Sequence, residues 1–272
     1  MGHQAADRLR AAGQSVIGVD LRDAEVIADL STPQGRVTAA QGVLAAAEEG
    51  RLDGAVLAAG VGPLPGADRA ALIYQVNFAG VVELLTAWQP ALAAGKAKVV
   101  VVGSNSTTTT PAVPRRAVRA LLAGRPDKAQ RAVRSFGPAA SSLAYAASKI
   151  AVSRWVRRHA VNPDWAGAGI RLNVLAPGAI LTPLLKEQLA TPGQSKAVRA
   201  FPIPIGGFGD AGQIADWILF MLSDAADFLC GSVIVVDGGS EAYFRSDAWP
   251  KGPSTLSLPR YFWRFARFAR RR

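Results

Sequence analysis

The sequence has few of the residues that form disulfides and metal sites. Its 272 residues include one cysteine, Cys230, and two histidines, His3 and His159. One thiol cannot form an internal disulfide, and these three side chains are too few and too scattered for a zinc site. We therefore expect no metal, and a buried, inert thiol that is in keeping with the reducing cytoplasm.

Long apolar runs are scarce too. The apolar stretches, such as 99–102 and 215–222, are much shorter than the roughly 20 residues of a membrane-spanning helix. The first residues lack the basic segment followed by an apolar one that marks a signal peptide. Half of the residues are nevertheless apolar, which is enough to bury a substantial core. The sequence therefore predicts a globular protein of the cytoplasm.

Acidic residues are outnumbered, but the excess positive charge is confined to two segments. The net charge is +11, of which residues 245–272 contribute +7 and residues 115–134 contribute +6, leaving −2 for the rest. A slightly acidic body is not the pattern of a nucleic-acid-binding fold. The internal basic region also has only one aromatic side chain, Phe136, that could stack on bases. We expect no nucleic-acid partner.

Strand and helix patterns alternate through residues 1–244 without a break in composition. The predicted strands are 15–20, 25–29, 54–59, 98–102, 170–175 and 232–236. The predicted helices are 4–12, 33–49, 70–93, 143–160 and 211–222. Such alternation predicts an α/β fold with a doubly wound parallel sheet. We predict a single domain over 1–244, with a basic helical insertion at 111–141, followed by a basic aromatic tail at 245–272.

Tyr145 and Lys149 are the most informative pair of residues. Residues four apart share one face of a helix, so the phenol and the ammonium point into the same space. A neighbouring cation lowers the pKa of a phenol, which can then exchange a proton with an alcohol or a carbonyl. Ser104 follows a buried strand, so its hydroxyl lies at the carboxyl edge of the sheet, where α/β folds bind ligands. This spacing of tyrosine and lysine also occurs by chance on solvated helices, so its meaning depends on further motifs.

Further motifs follow in a fixed order over nearly all of residues 2–240. They are Asp20 and Asp29-Leu30 after two strands, Ala58-Ala59-Gly60, Asn77, Ser104, Tyr145 with Lys149, Pro177-Gly178 and Thr182. In this order the sequence resembles the short-chain dehydrogenase/reductase family. Within that family, residues 18–32 and the long stretch between Ser104 and Tyr145 resemble the bacterial 3α-hydroxysteroid dehydrogenase/carbonyl reductase group. The resemblance implies a Rossmann-like fold and an NAD(H)-dependent oxidoreductase that interconverts a secondary alcohol and a ketone. It further implies a steroid-like or other apolar substrate and a homodimer or homotetramer.

The resemblance also assigns catalytic roles. Tyr145 would be the general acid/base, and Lys149 would lower its pKa and bind a ribose hydroxyl of the cofactor. Ser104 would hydrogen-bond the substrate oxygen and stabilise its developing charge. Asn77 would hold a water that links Lys149 to solvent; the alternative for Asn77 is a polar residue that bends its helix. The segment 183–208 would close over the substrate as a lid.

Cofactor residues are implied in the same way. Asp20 would accept the adenosine ribose hydroxyls and repel a 2′-phosphate, so NAD is expected rather than NADP. Arg22 favours NADP instead, because an arginine near the ribose can bind the 2′-phosphate. The remaining residues would be Gly2 in the phosphate-binding turn, Asp29 and Leu30 beside the adenine, Gly60 beneath the cofactor, and Thr182 at the carboxamide.

One family feature, the first strand with its glycine-rich phosphate-binding turn, is missing from the sequence. Met1-Gly2-His3 stands where the turn should end, because Gly2 precedes Asp20 by 18 residues and the usual distance is ~20. We therefore expect a sheet that lacks its first strand and has two unpaired edges. Two explanations stay open: the recorded start lies downstream of the true one, or the site has decayed. The rival to the enzyme is a non-catalytic Rossmann-like binding protein, truncated at the cofactor site.

The two basic segments are both predicted to be helical. In the resembled group the counterpart of 111–141 takes part in subunit contact, and a solvated flap is the alternative. In the tail, one helical stripe holds Arg260, Arg264, Arg267 and Arg271, and the neighbouring stripe holds Tyr261, Phe265 and Phe268. A basic helix with an aromatic face is typical of a membrane interface. We expect peripheral membrane contact through 256–272, with packing on the same or a partner subunit as the alternative.

Overall fold

A computed structural model describes residues 1–66, 68–248 and 255–269 of the chain. The predicted tail therefore falls partly outside the described residues, at 249–254 and 270–272, and Arg271 is among those omitted. The side chains of Phe265 and Phe268 also lie outside the described part.

The helices and strands alternate as predicted. The strands are β1 (Val19–Asp20), β2 (Val26–Ile27), β3 (Gly54–Leu57), β4 (Lys98–Val102), β5 (Arg171–Pro177) and β6 (Val233–Val236). The α-helices are α1 (Gly2–Ala11), α2 (Pro33–Ala46), α3 (Arg69–Tyr74), α4 (Val81–Ala94), α5 (Ser106–Thr109), α6 (Arg115–Leu122), α7 (Pro126–Arg134), α8 (Ala140–His159), α9 (Pro183–Ala190), α10 (Gln194–Arg199), α11 (Ala211–Leu222), α12 (Ser240–Arg245) and α13 (Leu258–Ala269). A π-helical turn, Gln75–Gly80, joins α3 to α4, and a second one spans Pro163–Gly167.

The strands form two parallel sheets. β1 pairs with β2, and the second sheet has the order β3-β4-β5-β6. In the second sheet, Val99 of β4 lies opposite Leu172 of β5. Within the described residues no strand pairs with the other edge of β1 or of β3. The prediction of an α/β fold with parallel strands is confirmed.

The buried side chains of β4 alternate between two cores, one on each face of the sheet. Val99 and Val101 belong to a core with α3, α4 and α8. Val100 and Val102 belong to a second core, in which α11 contributes Ile214, Ile218 and other buried residues. Because successive strand residues point to opposite faces, this division shows that helices cover both sides of the sheet. The sheet is doubly wound, as predicted.

Several elements differ from their predicted bounds by up to three residues at an end, and two show a more informative difference. The first strand was predicted over 15–20, but only Val19 and Asp20 pair, opposite Val26 and Ile27 of β2. A strand is defined by its partners, and β1 has one partner instead of two. The helix predicted over 70–93 is continuous from 69 to 94, but the π-helical turn widens it in the middle.

The helix Arg69–Ala94 is long and apolar enough, by length and composition, to cross a membrane. Polar residues such as Gln75, Asn77 and Glu83 interrupt its sequence, so it contains no continuous apolar run of that length. Its large side chains are packed inside the protein, where Ile73, Leu85 and Leu92 are completely buried. This is the pattern of a core helix, whose apolar face is covered by protein.

The basic insertion is docked on the domain through its inner face. Ala117 and Leu121 of α6, and Ala129 and Val133 of α7, are buried in the same core as α8. The alternative of a solvated flap is therefore wrong for this inner face, whereas the arginines of α6 and α7 remain exposed. Subunit contact through this insertion stays a prediction.

The start of α2 fixes the turn that contains Asp29 and Leu30. The hydroxyl of Thr32 caps the helix by accepting a 2.9 Å hydrogen bond from the amide of Gly35. A Cβ atom on Gly35 would lie 1.9 Å from the carbonyl oxygen of Asp29. The next residue, Arg36, is buried and donates a 3.1 Å hydrogen bond to the carbonyl of Leu30. The turn is therefore held between a glycine and a buried arginine.

Replacing Gly35 with alanine should destabilise the protein, although alanine is the better helix former by about 1 kcal/mol. The new methyl group cannot fit against a backbone oxygen without moving the turn or the helix, which typically costs about 1–3 kcal/mol. We expect a lower Tm in thermal unfolding followed by circular dichroism. Gln41→Ala, at an exposed position of the same helix, is the control and should change stability by less than about 0.5 kcal/mol. An unchanged or higher Tm for Gly35→Ala would contradict the close approach.

Candidate active site

Ser104 and Tyr145 meet at the carboxyl end of β4. Ser104 follows that strand by two residues and is buried, and Tyr145 lies on α8 and is partly buried. The Ser104 side chain hydrogen-bonds the phenol of Tyr145. Its Oγ also accepts a 3.1 Å hydrogen bond from the amide of Ser106, which fixes the hydroxyl. The structure thus brings together the two residues that were predicted to contact the reacting oxygen.

Burial raises the pKa of Tyr145 above its ordinary value of 10, and the hydrogen bond from Ser104 acts in the opposite direction without overcoming it. The sequence predicted a lowered pKa, on the assumption that the Lys149 cation lies beside the phenol. The structure gives the opposite direction because burial dominates. A phenol with a raised pKa is protonated near neutral pH.

Lys149 is buried one helical turn further along α8. Its Nζ donates a 2.8 Å hydrogen bond to the carbonyl oxygen of Val102, at the end of β4. The same Nζ lies 5.9 Å from the centroid of the Tyr145 ring. Burial lowers the pKa of Lys149 to about 8. The ammonium is therefore near the phenol, but its closest described partner is a backbone carbonyl, which no side-chain pattern could have revealed.

Asn77 is completely buried in the π-helical turn. Its Oδ1 accepts a 2.8 Å hydrogen bond from the amide of Val61, and its Nδ2 donates a 3.0 Å one to the carbonyl of the same residue. Asn77 thus fastens the loop that follows β3. Its position inside a widened turn agrees with the alternative of a residue that distorts its helix, and the water link to Lys149 stays a prediction.

Gly60 lies where Asn77 and Lys149 converge. A Cβ atom at position 60 would be 3.4 Å from Oδ1 of Asn77 and 3.8 Å from Nζ of Lys149. Gly60 itself is exposed. The absence of a side chain therefore leaves a polar surface open to a ligand, which agrees with the predicted role of this glycine.

Gly2 begins α1 and places the start of that helix at the same edge of the sheet. A Cβ atom on Gly2 would lie 2.9 Å from Cβ of Ala58, just beyond the end of β3. The first amides of an α-helix have no partner within the helix and favour an anion. The first turn of α1 contains no acidic residue that would occupy that place.

The two predicted cofactor carboxylates, those of Asp20 and Asp29, accept hydrogen bonds from neighbouring amides. Asp20 is exposed at the end of β1, and its Oδ1 accepts a 2.7 Å hydrogen bond from the amide of Leu21. Asp29 is exposed too, and hydrogen bonds from Ser31 lower the pKa of its carboxyl. Within the described part of the chain, the hydrogen bonds of both carboxylates are local and neither involves Lys149.

Leu30 and Thr182 are held by their local structure. The side chain of Leu30 is half-buried and approaches Gly80 in the π-helical turn. Thr182 is buried at the start of α9, where its hydroxyl accepts a 3.4 Å hydrogen bond from the amide of Leu185. Because that hydroxyl acts as an acceptor in the cap, its proton remains available to a ligand.

Two residues of this region were missed by sequence reasoning. Asn105 donates a 2.9 Å hydrogen bond from its amide to the carbonyl of Pro177, and its Nδ2 donates a 3.1 Å one to Oδ2 of Asp237. A Cβ atom on Gly178 would lie 2.6 Å from Cβ of Asp237. These contacts join the carboxyl ends of β4, β5 and β6. The available signal was a polar residue close to the end of each of two apolar strands, three positions after β4 and directly after β6.

The predicted lid touches the loop after β3. A Cβ atom on Gly62 would lie 2.8 Å from Cδ1 of Leu184 in α9. From α10, the side chain of Gln194 donates a hydrogen bond to the carbonyl of Pro63. Among the described residues, Oγ of Ser106 and Oε1 of Gln194 are enclosed without a hydrogen-bond partner. The lid segment therefore borders the site and leaves polar atoms that a bound molecule could satisfy.

Comparison with known proteins agrees with this geometry. The protein family described as Enoyl-(Acyl carrier protein) reductase matches residues 130–241, which include Tyr145, Lys149 and Thr182. The 3-alpha-hydroxysteroid dehydrogenase/carbonyl reductase of Comamonas testosteroni is 41% identical over 238 residues, covering 87% of this chain and 91% of that protein.

Solved structures show the same relationship. The crystal structure of the 3-alpha-hydroxysteroid dehydrogenase from Pseudomonas sp. B-0831, complexed with NADH, has a TM-score of 0.83 and 42% identity. That match covers 90% of this chain and 94% of the other. The structure of levodione reductase has a TM-score of 0.66 and 27% identity, covering 89% and 93% of the two chains. The chain belongs to the short-chain dehydrogenase/reductase family of oxidoreductases.

Proposed function

We propose that this protein interconverts a secondary alcohol and its ketone with NAD(H), on a steroid-like or other apolar substrate. The observation that carries the proposal is the hydrogen bond between Ser104 and Tyr145, with the Lys149 ammonium 5.9 Å from the Tyr145 ring. Two similar proteins, from Comamonas testosteroni and from Pseudomonas, are hydroxysteroid dehydrogenases by name, and the second was solved with NADH.

The residues present fit a nicotinamide dinucleotide. The open surface at Gly60, between Asn77 and Lys149, offers a donor and an acceptor to a ribose. The start of α1 beside Ala58 would favour the pyrophosphate, and Thr182 would contact the carboxamide. When bound, the nicotinamide supplies the hydride acceptor or donor of the reaction.

The chain's own residues would handle the proton. In the oxidation, the substrate hydroxyl would lie between Ser104 and Tyr145, and its proton would pass to the Tyr145 oxygen. Ser104 would donate a hydrogen bond to the substrate oxygen as negative charge develops there. The buried Lys149 ammonium would stabilise the phenolate electrostatically. In the reduction, the protonated phenol that the raised pKa of Tyr145 maintains is the form that donates.

The preference for NAD over NADP would come from Asp20. Its carboxylate is exposed at the end of β1, where it can accept ribose hydroxyls and repel a 2′-phosphate. Arg22 lies two positions further and is exposed as well, so the outcome depends on which charge is closer to the ribose. We propose that Asp20 dominates, because it ends the strand and Arg22 belongs to the turn that follows.

Apolar surface near the lid supports a greasy substrate. Leu184 packs on the loop after β3, and Ile203 and Ile205 approach Gly238, which follows β6. Leu181, directly before Thr182, is 45% exposed. Such walls would contact hydrocarbon rings, and the enclosed Oγ of Ser106 would accept or donate a hydrogen bond at their polar end.

The homodimer or homotetramer stays a prediction. Trp217 and Phe220 of α11 are exposed, with their rings 5.9 Å apart, and Val235 at the edge strand β6 is exposed as well. Exposed apolar surface of this kind is typical of an interface between subunits.

Tyr145→Phe should abolish alcohol oxidation while leaving the affinity for NAD largely unchanged. General acid/base transfer contributes about 10²–10⁴-fold, so kcat should fall by about that factor. The measurement is steady-state oxidation of an apolar secondary alcohol, combined with calorimetric titration of NAD. Tyr74→Phe is a matched control, because it removes the hydroxyl of another buried tyrosine that the mechanism does not use. A Tyr145→Phe variant that kept more than about a tenth of the rate could not use Tyr145 as its acid/base.

Asp20→Asn should narrow the preference for NAD over NADP. Removing one charge that repels the 2′-phosphate is expected to change the ratio of the two kcat/KM values by about tenfold or more. Asp53→Asn removes the same charge directly before β3, at the opposite end of the strands, and should leave the ratio unchanged. A wild-type preference for NADP would show that Arg22, and not Asp20, decides the choice.

The burial of the Lys149 ammonium lowers the free energy of unfolding of the protein. The pKa of Lys149 falls from its ordinary 10.5 to about 8, because burial disfavours the ammonium. Between these two values the unfolded chain binds the proton and the folded chain does not. The stability of the wild type should therefore rise with pH across this range. A buried cation that weakens the fold is typical of a functional site.

The comparison of wild type with Lys149→Met tests this cost. We expect the unfolding free energy of the wild type, relative to the variant, to increase by about 2–3 kcal/mol from pH 7 to pH 10, measured by urea unfolding. Lys98→Met is the control: burial lowers the pKa of Lys98, but its hydrogen bonds to Asp224 and Asp227 raise it overall. Lys98 should stay charged in both states over this range and show no such increase. A flat difference for Lys149 would place its ammonium in solvent.

A further inference from the structure

The helix α13 carries exposed aromatic and basic side chains side by side. Tyr261, Phe262 and Trp263 are 50%, 63% and 56% exposed. Arg260, Arg264 and Arg267 are exposed as well. No acidic residue occurs after Asp247 in the sequence. Large aromatic rings left in solvent in this way mark a contact surface.

The side chains of α13 are sorted by helical geometry. At about 100° per residue, Arg260, Arg264 and Arg267 occupy a stripe about 60° wide. Leu258, Tyr261 and Phe262 lie on another side of the helix. Trp263 stands next to the arginine stripe, and the Arg267 guanidinium lies 5.0 Å from its ring centroid. The helix therefore presents a cationic side and an apolar side at once.

We propose that α13 docks the protein on the surface of an anionic lipid bilayer. The arginines would pair with lipid phosphates, and the aromatic rings would enter the boundary between head groups and acyl chains. The 12 residues of α13 extend about 18 Å, which is too short to cross a hydrocarbon layer of about 30 Å. The contact is therefore peripheral and reversible.

A lipid surface suits this helix better than an acidic protein does. An acidic partner would neutralise the three arginines but would leave the apolar side in water. A bilayer provides anionic phosphates and, a few ångströms deeper, an apolar layer. Tyrosine and tryptophan are the residues that are enriched at this depth. A lipid bilayer therefore matches both the cationic side and the apolar side of α13.

The test is co-sedimentation of the full chain with vesicles of phosphatidylcholine, with and without phosphatidylglycerol, at low and high salt. The arginine variant, R260Q/R264Q/R267Q, removes three charges from α13. The aromatic variant, Y261S/F262S/W263S, removes three rings. The control variant, R119Q/K128Q/R131Q, removes three exposed charges from the groove between α6 and α7, a cavity of about 420 Å³ lined by basic residues.

We expect at least tenfold stronger partitioning into anionic than into neutral vesicles, and a loss of that preference at high salt. The arginine variant should lose the preference, and the aromatic variant should bind both kinds of vesicle at least tenfold more weakly. The control variant should bind like the wild type. Equal losses in the control and the arginine variant would overturn the proposal, because net charge alone would then explain binding.

Two further outcomes would also overturn it. If the aromatic variant bound vesicles normally and the wild type bound soluble polyglutamate equally well, α13 would be a site for acidic chains. If neither α13 variant changed vesicle binding but the aromatic variant changed the mass in sedimentation velocity, the helix would pack between subunits. None of these measurements uses catalysis, so they are independent of the proposed reaction.

Discussion

The hydrogen bond from Lys149 to the carbonyl of Val102 joins α8, the helix that carries Tyr145, to a central strand of the sheet, β4. It sets the rotation of α8 and, with it, the direction of the Tyr145 phenol toward Ser104. An ammonium without such an acceptor would not be buried, because an unpaired buried charge is very costly. The open surface at Gly60 also depends on this ammonium, which borders it. The predicted catalytic residues, the end of β4 and the open surface at Gly60 are therefore arranged around one buried cation.

Sequence patterns predicted the bounds of those elements whose structure depends on their own residues alone. Lys98–Val102 and Ala211–Leu222 have the predicted bounds, because a continuous apolar strand and an amphipathic helix need little information from elsewhere. The length of β1 depends on how many strands pair with it, and its own residues do not encode that number. The direction of the Tyr145 pKa depends on burial by distant segments, and the acceptor of Lys149 is a backbone atom. Asn105 and Asp237 meet across 132 positions, and local periodicity carries no signal for such a pair.

The basic insertion and the tail both carry excess positive charge, but the two segments place their apolar side chains differently. In the insertion, the apolar faces of α6 and α7 are buried against the domain and only the charges face water. In α13 the arginines are exposed together with the rings of Tyr261, Phe262 and Trp263. By net charge the two segments are alike. They differ in whether the apolar face of the helix is buried or exposed, and tertiary packing decides this.

The π-helical turn at Gln75–Gly80 has a genetic consequence. A π-turn is an α-helix with one additional residue accommodated in a local bulge, so the helix on either side keeps its register. The insertion of a single codon is therefore the smallest change that could push Asn77 inward to Val61 without rotating the packed face of α4. One insertion or deletion could therefore create or remove the hydrogen bonds between Asn77 and the loop after β3, and the rest of the core would stay unchanged.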